Sequence, residues 1–310
     1  MNVAVLGAGG TIGPAIARDL AGSEEVSELR LLDIDEGRAR AVAEAISSDQ
    51  VSAARADAAD PAALATALGD SEAVVNSASY RLNLNVMQAC LEAGCHYLDL
   101  GGLYWVAAEQ LQSFAPPDGE DRFEQAGLLA VLGIGSSPGK TNLMALRAQR
   151  ELTPNPGTPG RDAEDVPGGD LVGCEAEDVP GIDSMDVSAA GRDLDPPSGF
   201  SVPSANTVSV HVVDAVGGGR SVRVRSVTRP VEGLGLGGGG VVSTAAPSAA
   251  AVRLIARGSL TARGVHPPER CIDPDEMFAE LERRGSVFDV ELRVTATRPP
   301  PDGQRRRWPE

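Results

Sequence analysis

The stretch Asn2-Val3-Ala4-Val5-Leu6-Gly7-Ala8-Gly9-Gly10-Thr11-Ile12-Gly13 decides the fold of this 310-residue chain. Val3 to Leu6 reads as a short buried parallel strand. A glycine-dense turn follows at once, and Ile12 to Leu20 has the periodicity and alanine content of a helix. Strand, glycine turn and helix in that order form the phosphate-binding start of a dinucleotide fold. Gly7 allows the tight turn, Gly9 and Gly10 let the backbone approach a pyrophosphate, and Gly13 lets helix and strand pack closely. The amides from Thr11 through Ile12 to Gly13 would then face the phosphates, with the positive end of the helix dipole behind them. The spacing departs from G-x-G-x-x-G, because position 12 is Ile and the third small residue is Gly13.

Leu29 to Leu32 is a second apolar strand ending in Asp33-Ile34-Asp35, with an Ala/Arg/Glu helix from Gly37 to Ile46 behind it. An acid at the end of the second strand is where a ribose 2′-hydroxyl is held. Asp35 is placed to cap the helix, which leaves Asp33 as the ribose candidate. A carboxylate there repels a 2′-phosphate and favours NAD. Arg38 and Arg40 lie close enough to accommodate NADP, so the cofactor is NAD or NADP.

Outward from this start, Val51 to Ala56 is a third strand, and Asp60-Pro61 opens a helix to Leu68. Ala73 to Asn76 is the fourth strand, Leu82 to Ala93 a helix stopped by Gly94, His96 to Leu100 the fifth strand and Leu128 to Ile134 the sixth. Strands alternating with helices at this spacing mean an α/β, Rossmann-type doubly wound parallel sheet over residues 1–130. Residues 131–298 read as a second, α+β domain for substrate binding and dimerisation. Within it, Thr153 to Asp170 is rich in Pro, Gly and Asp and reads as a mobile acidic insert. Val208 to Val212 and Ser221 to Val227 alternate with period two around Gly217 to Gly219, a hairpin with one wet face. Asp273-Pro274-Asp275-Glu276 opens a helix to Arg284, and Phe288, Val290, Leu292 and Val294 line one face of a last strand. Residues 299–310 read as a tail.

A net charge of −17 argues against nucleic acid or an anionic membrane as partner. Nothing approaches the roughly 20 apolar residues of a membrane span, and the chain enters its first strand without a basic-plus-apolar leader, so a cytoplasmic location is expected. Four cysteines without a C-x-x-C pair and three histidines give no zinc signature, and no metal or disulfide is expected. Lys140 is the only lysine among 27 basic residues.

Val74-Val75-Asn76-Ser77-Ala78, Ala89 to Asp99 (Ala-Cys-Leu-Glu-Ala-Gly-Cys-His-Tyr-Leu-Asp), Gly133 to Asn142 (Gly-Ile-Gly-Ser-Ser-Pro-Gly-Lys-Thr-Asn) and Arg263 to Glu269 together resemble the saccharopine dehydrogenase family. The likeness is good over residues 1–150, patchy over 170–285 and absent in the acidic insert. It implies an NAD(P)-dependent oxidoreductase transferring hydride at a C–N bond, imine or secondary amine, of an amino-acid-derived substrate. A carbonyl or enoyl reductase, or a non-catalytic dinucleotide-binding regulator or partner subunit, stays open beside it. A homodimer is the expected assembly.

In this fold the ligand lies beyond the carboxyl ends of the strands. Asp57 and Ala58 after the third strand would flank the adenine, and Asn76, Ser77, Ala78 and Ser79 after the fourth would pass beside the nicotinamide ribose. Tyr97 and Asp99 face one side of the fifth strand and His96 the other. Asp99 exits toward the ligand, and Tyr104 follows in the next loop, where it could also close a wall; with Lys140 they are the candidate catalytic residues. Lys140 stands in a turn aimed at the same crevice, where its ammonium would orient a substrate carboxylate or donate a proton. Pro138, Gly139, Thr141 and Asn142 complete this substrate-binding turn. Gly139-Lys140-Thr141 is not a triphosphate loop, which needs four residues between its glycines; Gly135 leaves three and Gly133 five.

Overall fold

The computed structural model describes residues 1–102, 104–153, 184–192, 208–231 and 237–294. Of the expected acidic insert only Thr153 is among them, and the tail 299–310 is outside them.

The first unit alternates as expected: β1 (Asn2–Leu6), α1 (Gly13–Ala21), β2 (Glu28–Asp33), α2 (Glu36–Ile46), β3 (Val51–Arg55), α3 (Pro61–Leu68), β4 (Ala73–Asn76), α4 (Asn83–Ala93), β5 (His96–Asp99), α5 (Tyr104–Phe114), α6 (Arg122–Gln125) and β6 (Leu129–Val131). The second half supplies α7 (Lys140–Leu152), β7 (Ser184–Arg192), β8 (Val208–Gly217), β9 (Arg220–Thr228), α8 (Gly239–Ala256), β10 (Gly264–His266), α9 (Pro268–Cys271), α10 (Pro274–Glu282) and β11 (Ser286–Val294). Local chemistry sets several ends. Asp60 accepts from the Ala63 amide with Pro61 in the first turn of α3, Asp273 caps α10 in the same way, and Gly94 stops α4 at φ +75°. β6 is shorter than expected because Gly133, at φ +73°, turns the chain away.

The main sheet runs β10-β6-β5-β4-β1-β2-β3, parallel throughout. Strand order reverses between β1 and β4, which opens the ligand crevice beyond their carboxyl ends. The sheet is not made by residues 1–130 alone. β10 extends it beside β6, and α8 packs on α1. α8 is the one helix among the described residues long and apolar enough to cross a membrane, and most of it is buried inside the protein.

The second sheet is antiparallel, β11-β9-β8-β7. Its inner face, with Val213, Ala215, Val222 and Val224, packs on α7 and α8, and Arg223 and Arg225 stand outside, the wet face that the alternation predicted. On β11 only Phe288 of the expected apolar face is partly covered, half-buried and stacking on Phe278 at 4.0 Å between ring centroids. Val290, Leu292 and Val294 project past the helices and stay exposed.

A buried ion network joins the halves. Arg253 of α8 donates to Asp19 of α1 at 3.0 Å and to Glu280 of α10 at 2.9 Å, with all three side chains buried. Arg284 reinforces Asp19 and Arg257 reinforces Glu280. Removing one partner leaves buried charge uncompensated. Arg253→Ala is therefore expected to lower stability by about 3 kcal/mol, read as a lower urea midpoint with an unchanged slope. A wild-type midpoint would show that Arg284 and Arg257 suffice.

Candidate functional site

At the glycine turn, Gly7 sits at φ +76°, and a Cβ there would come 2.7 Å from the Ala78 amide nitrogen. The exits of β1 and β4 therefore touch at the switch point. A Cβ on Gly13 would strike the Gly7 carbonyl, so Gly13 does let helix and strand close together. Gly9 also has a packing role: a Cβ there would strike the Cβ of Arg38 and come 3.2 Å from Asp33 Oδ2, at the end of β2. Gly10 and Thr11 are exposed, and Ile12, half-buried, is the N-cap of α1 without a side-chain cap. An uncapped helix start behind an exposed glycine turn, with a carboxylate at the end of β2, fits a dinucleotide pyrophosphate and ribose.

Asp33 is nearly buried. Its Oδ2 accepts from the Gly9 amide at 2.9 Å and its Oδ1 from the Asp35 amide at 3.0 Å. Asp35 caps α2 through the Arg38 amide. Arg40 is tied to Glu36, whereas Arg38 is exposed and forms no ion pair among the described residues. Asp57 accepts from the Ala59 amide in a local turn, and Ala58 is buried beneath it.

The loop after β4 uses its side chains on itself. Asn76 donates to Asn83 and accepts from the Ala78 amide, Ser77 donates to the Leu6 carbonyl at 2.7 Å, and Ser79 caps the short turn Tyr80–Leu82. These side chains hold Ala78 against Gly7, so what the loop offers a ligand is mainly backbone.

Asp99 departs from its expected role. It is buried, not open to the crevice. Oδ1 accepts from the Gly101 and Gly133 amides, each at 2.7 Å, and Oδ2 from Tyr97 and Gln110 at 2.9 Å and Asn83 at 3.2 Å. Burial pushes its carboxyl up, and the bonds from Gln110, Gly133, Gly101 and Tyr97 pull it back. Asp99 thus ties the loop after β5 to the loop after β6. His96, on the other side, accepts from the Leu129 amide and joins β5 to β6. Tyr104 opens α5, and its side chain lies outside the described residues. Beside it, Tyr80, Arg81, Leu84, Trp105, Val106 and Glu109 line a cleft of about 420 Å³ between the starts of α4 and α5.

The turn from Gly133 to Gly139 carries Pro138 into the space that side chains at Gly101 and Gly133 would fill. The substrate-binding role expected for its side chains is not what they do here. Asn142 accepts from the Gly139 amide and donates to Glu269 of α9, and Thr141 donates to Ser137. Lys140 does not face the crevice. Its side chain is fully buried, and Nζ donates to Ser243 of α8 at 2.7 Å and to Thr228 of β9 at 3.2 Å. Burial lowers its pKa to about 7. Ser243 bonds Ser136 at 2.8 Å, Ser136 bonds His211 Nε2 of β8 at 3.1 Å, and Thr228 bonds Ser286 at 2.8 Å. Burial, then the Lys140 charge, lower His211 to about 4. No local pattern points to Ser243 or Thr228, and Ser136 reads only as part of the Gly133 to Asn142 turn. For His211 the signal was present, since alternation puts it on the same face as Val213.

With this geometry in view, residues 3–131 match the family described as saccharopine dehydrogenase NADP binding domain. The match falls on the N-terminal unit, which is thus similar to an NAD(P)-binding domain of the saccharopine dehydrogenase type, and it covers less than half of the chain. A carboxyaminopropylagmatine dehydrogenase from Synechocystis is 30% identical over 160 residues, spanning 47% of this chain and 37% of that protein. The chain thus covers little more than a third of that curated relative. Two solved structures share the fold across nearly the whole chain. Apo saccharopine dehydrogenase (L-Glu forming) from Saccharomyces cerevisiae superposes with a TM-score of 0.61 at 12% identity, covering 94% of this chain and 99% of that one. Homospermidine synthase from Legionella pneumophila, in complex with NAD, gives 0.64 at 11% identity, covering 100% and 94%. The saccharopine dehydrogenase likeness carried by the sequence motifs therefore holds, with fold-level similarity reaching beyond the matched domain.

The Lys140 environment has a consequence for stability. The folded amine releases its proton near pH 7, and the unfolded one near 10.5. Below pH 7 both states hold the proton, and the native state bears the full cost of burying the charge. Between these values the unfolded chain binds a proton that the native state lacks, so stability rises with pH. Relative to Lys140→Met, the wild type should gain stability from pH 7 to pH 10 in urea unfolding. A pH-independent difference would contradict the assigned burial.

Proposed function

We propose that this chain is an NAD(P)-dependent oxidoreductase acting on a C–N bond, imine or secondary amine, of an amino-acid-derived substrate. The observation that carries the reading is a buried lysine amine ringed by hydroxyls, next to the exit of β6 and on the same sheet edge as the dinucleotide turn. The bound dinucleotide supplies or accepts the hydride. The chain's own residues do the rest: the start of α1 with Gly7 to Gly13 would hold the pyrophosphate, Asp33 would set the shape of the ribose pocket beside Arg38, and the Asp99-tied loops would shape the floor.

The cleft beside Tyr104 supports an amino-acid-like substrate, because it carries charge of both signs on apolar walls. Arg81 is positioned to take a carboxylate, Glu109 an ammonium, and Trp105 and Tyr80 the carbon chain. Pro138 to Asn142 would back the opposite wall by their packing, since Pro138 has no amide hydrogen and the Gly139, Lys140 and Thr141 amides donate within the turn. The homodimer is proposed to use the exposed apolar end of β11.

For the cofactor we favour NADP over the NAD that Asp33 alone suggests. Asp33 is nearly buried and engages both oxygens with backbone amides, whereas Arg38 is free to meet a 2′-phosphate. A charge-assisted hydrogen bond contributes about 1.5–3 kcal/mol, so Arg38→Ala should weaken NADPH binding at least tenfold in a fluorescence titration and leave NADH nearly unchanged. Tighter NADH binding by the wild type would return the choice to Asp33.

The reaction is tested by following cofactor consumption with paired amines and keto acids against simple ketones and enones. Turnover with the amine pairs alone supports the proposal. Turnover with ketones or enones alone would make the chain a carbonyl or enoyl reductase, and binding without turnover a regulator.

A further inference from the structure

The hydrogen bonds around Lys140 form one continuous path. From Nζ it runs to Ser243 Oγ at 2.7 Å, to Ser136 Oγ at 2.8 Å and to His211 Nε2 at 3.1 Å, and a side branch runs through Thr228 to Ser286. Lys140, Ser243, His211, Thr228 and Ser286 are all buried, and Ser136 alone is half-exposed. Ser136 lies in the turn leaving β6, on the sheet edge that carries the glycine turn. The path therefore has a closed end at the amine and one opening.

Among the described residues, the elements around the amine bring no carboxylate to it. Among the described residues, β8 contributes His211, β9 contributes Thr228 and Ser226, α8 contributes Ser243, β11 contributes Ser286, and the turn itself contributes Ser136 and Ser137. A buried lysine is usually held by an acid. This one is held by groups that both accept and donate.

His211 fixes the direction. Its Nδ1 is buried and has no partner. A bare lone pair there costs less than a stranded N–H, since orphaned buried donors are the rarer case. The hydrogen therefore sits on Nε2, which donates to Ser136. Ser136 Oγ then accepts from both His211 and Ser243, and its own hydrogen is left to point out of the protein.

We propose that Lys140, Ser243 and Ser136 form a proton relay, with Lys140 as the buried proton store, Ser136 as the group that meets the substrate nitrogen, and His211 as the positioning residue that aims the Ser136 hydroxyl. The relay rests on the reading of the chain as a C–N oxidoreductase. In reduction the imine carbon gains hydride from the dihydronicotinamide and the C=N π pair moves to nitrogen. The nitrogen takes the Ser136 proton, Ser136 is refilled from Ser243, and Ser243 from the Lys140 ammonium. The amine is left neutral, both hydroxyls are restored, and Lys140 recovers a proton from solvent by the same path. Oxidation runs each transfer in reverse. Reduction needs the protonated amine, so its kcat should fall as pH rises through about 7, and oxidation should rise over the same range.

Lys140 is the only lysine in the chain, so protein labelled with ¹⁵Nζ-lysine gives one side-chain signal, readable without cofactor or substrate. Its titration midpoint should lie near neutrality and move by at least half a pH unit in Ser243→Ala. A midpoint at the ordinary lysine value, or one indifferent to Ser243, overturns the relay. In turnover, Ser136→Ala should lower kcat for imine reduction at least tenfold with KM and dinucleotide affinity unchanged, and Ser136→Thr should restore it. His211→Phe should lower kcat and His211→Gln, which keeps a donor, should recover it. Wild-type kcat in Ser136→Ala overturns the relay. Failure of the wild type to turn over any amine pair, with the titration as expected, overturns the reaction assignment and leaves the proton path standing.

Discussion

The Asp99 carboxylate binds the amides of Gly101 and Gly133 and the side chains of Tyr97, Asn83 and Gln110, and both walls of the crevice take their positions from these bonds. Gly101 begins the loop after β5 and Gly133 the loop after β6, so one buried charge holds together two loops with no helix to stiffen them. The arrangement is stable because the charge is met by donors from several elements; a buried carboxylate short of partners would shed its charge instead. With Gly101 and Gly133 fixed, Pro138 fits between them, and the turn delivers Lys140 into the second sheet rather than into solvent.

The same molecule treats its buried charges in two ways. Between α1, α8 and α10, Arg253 meets Asp19 and Glu280, and opposite charges compensate one another. Among the described residues, the groups that surround the Lys140 amine are hydroxyls and a neutral imidazole. The ion network links halves of the chain that are distant in sequence and favours rigidity there. The hydroxyl ring leaves a cation poorly compensated, a cost to stability that a purely structural lysine would not be expected to retain.

Much of the fold was legible because its signals are local. Apolar runs, Asp-Pro helix starts and glycine stops specify elements over a few residues, and Gly7 and Gly13 behave as the turn requires. The departures have tertiary causes. Gly9 is glycine because Arg38 of α2 packs against it, a neighbour 29 positions on. Asn76, Ser77, Thr141 and Asn142 are polar residues beyond the carboxyl ends of the strands, and their hydrogen bonds hold that edge in shape. Strand alternation placed Tyr97 and Asp99 together, but could not say that Gln110 and Asn83 would close over them. The direction of Lys140 was least readable, since Thr228 and Ser243 lie 88 and 103 residues away. β10 was missed because three residues carry too little pattern.

The absence of an acid among the described neighbours of Lys140 also bears on the chemistry. A carboxylate at the position of Ser243 would stabilise the ammonium, raise its pKa and hold the proton too tightly to give up at neutral pH. An apolar wall would lower the pKa but leave the proton no path out. Hydroxyls do neither. They solvate the ammonium weakly enough for burial to bring it to about 7, and each passes on a proton as it receives one. A group that loses and regains a proton at working pH, enclosed except at Ser136, is suited to a reaction in which nitrogen changes protonation as the carbon beside it changes oxidation state.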